Sequence, residues 1–346
     1  MHAPTPDLRL SQLADWLGEH ASDFGLRVDT LRPASDDASF RRYFRIDLQA
    51  PLDGAESVVA MDAPPPMEDV RPFVHAADVL GATGMQVPRV LARDVERGFL
   101  LLEDFGSTTY MQVLDAATAP ALYTDASAAL VRLQAGSREG VFPEYDRALL
   151  ARELALYPDW YVARHKGVTL SDDERNQLAR AFDALLDNNV AQPRVFVHRD
   201  YHSRNLMLLP GDRNPGVLDF QDAVHGPITY DLVSLLRDAY VEWEEEQVLD
   251  WTIRHWERAR RASLPVASDF ANFWRDFEWM GLQRHLKVLG IFARLNYRDG
   301  KDRYLADLPR VLGYVQRAAR RYIALDPLVR VMERIEGESR EAGYTF

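Results

Sequence analysis

Between two apolar runs the chain reads VFVHRDYHSRNLML, residues 195 to 208, so that His198, Arg199, Asp200, His202 and Asn205 crowd a stretch whose flanks belong in a core. Burying polar groups there is costly unless each is paired. Asp200 and Asn205 stand five positions apart, and GVLDF brings Asp219 fourteen residues after Asn205. Phosphoryl transfer needs such a set. One carboxylate accepts the proton of an attacking hydroxyl, while an amide oxygen and a second carboxylate hold the Mg2+ ions that bridge a nucleotide's phosphates. Taken singly, each piece has a plainer explanation: Asp-x4-Asn between strands is commonly a turn closed by side-chain-to-backbone bonds. His198 with His202 is commonly hydrogen-bonded scaffolding rather than a metal pair. The combination is what points to chemistry.

Converging those tips requires rigid elements. Val195 to Val197 before the loop and Leu206 to Leu208 after it predict two strands that anchor it. Upstream, DLRLSQLADWLGEH spaces Leu10, Leu13, Trp16 and Leu17 as one helix face, with Asp7 as cap. LRVDTLRP, SFRRYFRIDL and ESVVAMDA predict three antiparallel strands. After Pro64, Pro65 and Pro66, EDVRPFVHAADVLGATG predicts a helix ended by glycine, and VPRVLARD and GFLLLEDF two more strands. Beyond Gly106 the chain reads as long amphipathic helices except over 195 to 219. The expected fold is α+β and bilobal: a small β-rich, nucleotide-binding N-lobe over 1–103 and a larger, mostly helical C-lobe over 104–346 with the catalytic loop and acceptor site.

With 346 residues and 47% hydrophobic content, a sizeable core is available. The formal charge of −12 gives no general attraction to nucleic acid or an anionic membrane, so phosphate-rich partners need a local cationic pocket. The absence of cysteine excludes disulfides, thiolate zinc sites and cysteine nucleophiles. MHAPTPDLRL lacks the pattern of a secretory leader and no apolar run approaches a membrane span, so a soluble, cytoplasmic protein is expected.

VHRDYHSRNLM with GVLDFQDAVHGPITYDLVSLLRD resembles the paired signature of the aminoglycoside phosphotransferase and choline kinase superfamily, a branch of the protein-kinase-like fold, and the resemblance runs along most of the chain. Within it, DDASFRRYFRI, MDAPP, LLEDFG and LYPDWYVARHKG are similar to the bacterial kinases that phosphorylate N-acetylmuramate and N-acetylglucosamine at the anomeric hydroxyl in peptidoglycan recycling. The resemblance implies Asp200 as catalytic base, Asn205 and Asp219 as Mg2+ ligands, and ATP as co-substrate between the lobes. It further implies Asp231 as a structural partner of the catalytic loop, and a hinge whose backbone around Glu103 and Phe105 meets adenine.

The chain departs from the wider kinase pattern twice. No Gly-rich loop precedes the second strand; SDDASFRR stands there, with Ser39 and the backbone around Phe40 as candidates for the phosphate cover. Met61 occupies the third-strand position where a phosphate-pairing lysine belongs. Strand alternation puts Arg42 with Phe40, Phe44 and Ile46, and Arg41 with Tyr43 and Arg45, so Arg42 is the candidate replacement, its alternative being an edge-strand surface arginine.

An aminoglycoside acceptor would need a carboxylate-rich pocket, and choline an aromatic cage. Instead GLQRHLKVLGIFARLNYRDG places Arg284, Lys287, Arg294 and Arg298 along one stripe. Such a stripe is commonly a solvated helix face, yet it suits an anionic or neutral sugar better than a polycation. Trp160 could stack on a pyranose ring; His202, Asp222, Arg237 and Asp238 are candidates for sugar hydroxyls and, for Arg237, a lactyl carboxylate. The expected activity is ATP-dependent phosphorylation of an amino sugar. Another small-molecule kinase is the nearest alternative, followed by a non-catalytic nucleotide-binding regulator and a metal-dependent hydrolase built on His198, Asp200, His202 and Asp219.

Overall fold

The computed structural model describes residues 7–35 and 40–337. Its contacts divide the chain into two compact units, Met1–Gln112 with Leu206–Asp222, and Val113–Asn205 with Ala223–Phe346.

In the first unit, α1 (Leu8–Glu19) starts where the sequence predicts, with the Asp7 carboxylate accepting the Leu10 N–H at 3.0 Å. A single turn, α2 (Ala21–Phe24), ends at Gly25 in the left-handed region and leads into β1 (Leu26–Ser35). β2 (Arg42–Leu52), β3 (Ala55–Asp62), α3 (Arg71–Ala82), β4 (Val90–Asp94) and β5 (Phe99–Glu103) follow. The strands form one antiparallel sheet in the order β1-β2-β3-β5-β4. Period-two alternation turns Phe44, Ile46, Val58, Ala60, Phe99 and Leu101 to one face, which Leu13, Trp16 and Leu17 of α1 cover. Each large side chain buried there contributes roughly 1.5–3 kcal/mol. On the other face Met61 lies between Tyr43 and Leu100 in the strand register. The segment Leu206–Asp222 adds a small hairpin, Leu206–Met207 paired with Gly216–Val217.

A short helix α4 (Tyr110–Val113) precedes the helical second unit. That unit comprises α5 (Ala119–Ala135), α6 (Arg147–Leu154), a π-helix (Tyr157–His165), α7 (Asp172–Ala191), α8 (Tyr230–Leu236), α9 (Glu245–Arg261), α10 (Phe270–Asp299), α11 (Leu308–Ala319) and α12 (Asp326–Glu336). α7 opens on a capping box between Ser171 and Glu174. α10 is the organising helix: every residue from Phe277 to Gly290 is buried, the signature of a helix packed on all sides. Its Gly290 has a packing reason, since a Cβ there would stand 2.3 Å from the Leu156 carbonyl oxygen at the start of the π-helix. Among the described residues no helix is long and apolar enough to cross a membrane.

The strand and helix order of the first unit follows the sequence expectation, as does the α+β composition of the whole. The π-helix and α2 are additions.

Candidate active site

The loop that follows Arg194–Val197 starts from a buried strand, paired antiparallel with Val224–Pro227. Its backbone is then latched to α8: the N–H groups of His198 and Arg199 donate to the two carboxylate oxygens of Asp231 at 2.7 and 3.0 Å. Asp231 is buried, and that burial, opposed by the field of His198 and the two N–H bonds, pushes its pKa up to about 6. Arg199 takes a left-handed conformation (φ 78°), uncommon for a non-glycine residue, and turns the chain sharply before Asp200. Its guanidinium donates to Glu153 at 2.6 Å. Past the turn, the Asp238 carboxylate accepts the N–H groups of Ser203 and Tyr240, each at 2.9 Å. Asn205 closes the loop on itself, its Nδ2 donating to the Asp200 carbonyl at 3.0 Å.

The Asp200 side chain is 45% exposed, so a hydroxyl can reach it. Burial of its surroundings opposes ionisation, but Lys287 first, then His202, Arg284 and His198, outweigh it and draw its pKa to about 2. Lys287 is itself fixed by Glu153 at 2.9 Å and the Tyr230 hydroxyl at 3.2 Å. Arg284 Nη2 stands 3.8 Å from Asp200 Oδ1. Asp200 is therefore a carboxylate at any ordinary pH, and as a base it would be a weak one, able to take a proton only from an oxygen that becomes acidic in a transition state.

Asp219 belongs to the first unit. The hairpin that leads to it is tied down by Leu208 N–H to Thr108 O at 2.9 Å and Val217 N–H to Gln86 O at 2.7 Å. Immediately after it, Phe220 is buried against Phe73 of α3, ring centroids 4.7 Å apart. Asp219 itself is exposed, in a left-handed conformation (φ 63°), and accepts from Gln221 Nε2 at 2.7 Å. A non-glycine residue held there costs of order 1–3 kcal/mol, a cost found mostly where a side chain must be aimed. Phe105 packs on the same hairpin with Met207, Leu209 and Leu218, and only glycine fits at 216, where a Cβ would be 2.5 Å from the Phe105 ring. Glu103 accepts from Arg89 at 3.0 Å and from Arg213.

The other residues singled out by sequence fall in several places. Ser39 lies outside the described residues, and Phe40 is exposed. Arg42 shares the face of Phe44 and Ile46 as alternation predicts, but that is the face α1 covers. There Arg42 pairs with the fully buried Asp62 at 2.6 Å and with Asp7, and Arg9 also pairs with Asp62. Met61 faces the other way with Tyr43, and alternation puts Arg41 on that side, its Nε 3.1 Å from Glu68. Trp160 is half-buried on the π-helix, and Asp222 is exposed at the end of the first unit's second segment. His202 is buried with its ring edge-on to Tyr240 at 5.4 Å. Arg237 is buried between Trp274 and Phe277 and already neutralised by Glu245 at 3.0 Å and Glu278 at 3.2 Å; Asp238 spends its oxygens on backbone N–H groups. Both occupy scaffold positions. The cationic stripe is not one solvated face: Arg284 and Lys287 are buried, Arg294 is half-buried, and only Arg298 is exposed, paired with Asp299. Sequence reasoning passed over Glu153, which gathers Arg199, Lys287 and the Tyr145 hydroxyl. The available signal was charge inside the apolar run EWMGLQRHLKVLG, which calls for a buried counter-charge.

Residues 30–274 match the profile of the phosphotransferase enzyme family. A protein of Neisseria meningitidis serogroup B named N-acetylmuramate/N-acetylglucosamine kinase is 51% identical over 90% of this chain and 93% of its own. A protein of the same name from Pseudomonas aeruginosa is 52% identical over 91% and 93%. Among solved structures, an amicoumacin kinase in complex with AMP-PNP, Ca2+ and Ami matches with a TM-score of 0.59 at 14% identity, covering 87% of this chain and 92% of that one. A Plasmodium vivax ethanolamine kinase matches with a TM-score of 0.57 at 9% identity, covering 83% of each. These last two likenesses establish the kinase-like fold. With the profile spanning most of the chain and the two relatives just over half identical along nine-tenths of it, the protein belongs to the phosphotransferase enzyme family.

Proposed function

We propose that this chain phosphorylates N-acetylmuramate, N-acetylglucosamine or both at the anomeric hydroxyl, with ATP as donor, to give a sugar 1-phosphate for cell-wall recycling in the cytoplasm. The observation that carries the reading is the 51% and 52% identity, over nearly the full length of both partners, with proteins named for those two substrates. The cations beside Asp200 support it, because Lys287 and Arg284 would repel a polycationic aminoglycoside or a choline-like ammonium.

In this reading Asp200 orients the sugar hydroxyl and accepts its proton. Asn205 and Asp219 hold Mg2+: with Nδ2 spent on the Asp200 carbonyl, the amide oxygen is the end of Asn205 that meets a hard cation, and Asp219 presents an exposed carboxylate. The metal, when bound, neutralises charge on the nucleotide's phosphates. The first unit binds ATP, the backbone around Glu103 and Phe105 meeting adenine and the Ser39–Phe40 segment covering the phosphates. Arg42, tied to Asp62, serves the sheet; Arg41, beside Met61's face, is the better-placed phosphate cation. In the second unit, which carries the acceptor, Asp238 holds the loop and Arg237 is neutralised by Glu245 and Glu278, leaving His202 and Trp160 as sugar contacts; Asp222, at the end of the first unit's second segment, is the remaining candidate.

ATP consumption against a panel of amino sugars, with the product identified by phosphorus NMR, tests the proposal. Mg2+-dependent ADP release with an N-acetylated amino sugar, lowered roughly 10²–10⁴-fold in Asp200→Asn, is the expected result. Turnover with choline or an aminoglycoside and none with amino sugars would overturn it.

A further inference from the structure

Arg284 sits near the middle of α10, inside the stretch from Phe277 to Gly290 that is buried on all sides. The other ionisable groups of that stretch have their partners. Glu278 accepts from Arg237, Arg321 and the Tyr322 hydroxyl; Lys287 donates to Glu153 and Tyr230; His285 Nε2 meets the Arg237 carbonyl at 2.8 Å. Arg284 differs: its side chain is 3% exposed, yet Nε and Nη1 have no hydrogen-bond partner. Nη2 is 3.8 Å from Asp200 Oδ1, close enough for attraction and too far for a hydrogen bond. A buried guanidinium with unmet N–H groups is costly to a fold. An anion that arrives during function is one reason for a fold to retain such a group.

We infer that Arg284 is a catalytic residue whose Nη1–Nη2 edge donates to an oxygen of the phosphoryl group as that group passes to the acceptor hydroxyl held by Asp200. The inference rests on the kinase reading above and adds a residue to it. In the step, the acceptor's O–H proton moves to Asp200, its oxygen forms the bond to the γ-phosphorus, and the bond from that phosphorus to the bridging oxygen breaks, its electron pair leaving with ADP. Whichever sugar is used, the phosphoryl group is the anion that this chemistry must bring to Asp200. A planar fork of donors matches two phosphoryl oxygens in a way that a point charge does not. Lys287, committed to Glu153 and Tyr230, cannot stand in.

The test compares Arg284→Gln and Arg284→Lys with the unmodified protein by steady-state kinetics on N-acetylglucosamine and on N-acetylmuramate, and by calorimetric titration of ADP with and without tetrafluoroaluminate, a mimic of the phosphoryl group in flight. Arg284→Gln is expected to lower kcat/KM roughly 10²–10³-fold for both sugars. It should also abolish the tighter binding that tetrafluoroaluminate confers, while the affinity for ADP alone stays unchanged. Arg284→Lys should recover little of either, and it decides the matter if the glutamine variant does not fold. A loss confined to N-acetylmuramate would make Arg284 a reader of the acceptor's carboxylate and overturn the inference. So would full turnover, or a retained preference for the fluoride complex. If the unmodified protein phosphorylates neither sugar, the substrate reading falls, while the fluoride titration, which needs no sugar, still judges Arg284.

Discussion

Asp231→Ala probes the latch on which the position of Asp200 depends. The substitution removes the acceptors of two N–H groups, those of His198 and Arg199, at 2.7 and 3.0 Å. His198 is fully buried and Arg199 half-buried, so neither N–H finds water without movement. An unmet buried donor costs about 1–3 kcal/mol, so the pair costs about 2–6 kcal/mol, a large share of the roughly 5–15 kcal/mol that holds a typical domain. If the loop instead relaxes, Arg199 leaves its left-handed conformation and Asp200 moves with it; an ångström of misplacement costs on the order of 100-fold in turnover. Asp231→Asn keeps one acceptor and should cost about half as much, about 1–3 kcal/mol.

The pH dependence carries a sign that separates this latch from Asp200. Asp231 has its pKa raised from 3.8 to about 6 by burial, so between those values the native state binds a proton that the unfolded chain does not, and this group alone makes stability rise as pH falls through the window. Burial holds His255 and His285 at about 3, which acts oppositely below the unfolded 6.5, so the Asp231 contribution is read as the difference between the unmodified protein and Asp231→Asn. Turnover should fall below about pH 6, because a protonated Asp231 keeps one good acceptor oxygen. Asp200, at about 2, cannot produce that limb. Denaturant unfolding and kcat from pH 4.5 to 8 measure both effects. An acid limb that persists in Asp231→Asn, or an Asp231→Ala protein with undiminished stability and turnover, would refute the reasoning.

If Asp219 holds the metal as proposed, Asp219→Ala should weaken ATP binding in calorimetry only when Mg2+ is present, since the carboxylate would act on the phosphates through the ion; equal loss without metal would count against a ligand role. Arg42→Ala leaves the buried Asp62 with Arg9 as its remaining arginine partner and should lower the unfolding midpoint with little change in KM for ATP, whereas Arg41→Ala should raise that KM. The reverse pattern would restore Arg42 as the phosphate cation. Gly290→Ala drives a methyl group to 2.3 Å from the Leu156 carbonyl and should destabilise by about 1–3 kcal/mol in denaturant unfolding, unless α10 and the π-helix part without penalty.

Local features were legible in the one-dimensional text because their physics is local. Asp7 caps α1, alternation divides Phe44 and Ile46 from Tyr43 and Arg45, and glycine or proline marks where elements stop. The candidate loop was legible because five polar residues between apolar flanks violate the ordinary rule of burial, and because their spacing matches a chemistry. Tertiary packing alone decided what each charge would meet. The face that Arg42 shares with Phe44 became the one α1 covers, so a residue nominated for phosphate pairs with Asp62 instead. Helical spacing made Arg284, Lys287, Arg294 and Arg298 equivalent, but the first two are buried beside Asp200 and Glu153 while the last is in solvent. Glu153 lies 46 residues from Arg199 in sequence, and no periodicity within a helix links such groups. Charge pairing across long sequence separations depends on which helix faces meet in three dimensions, and a linear pattern of residue types does not contain that information.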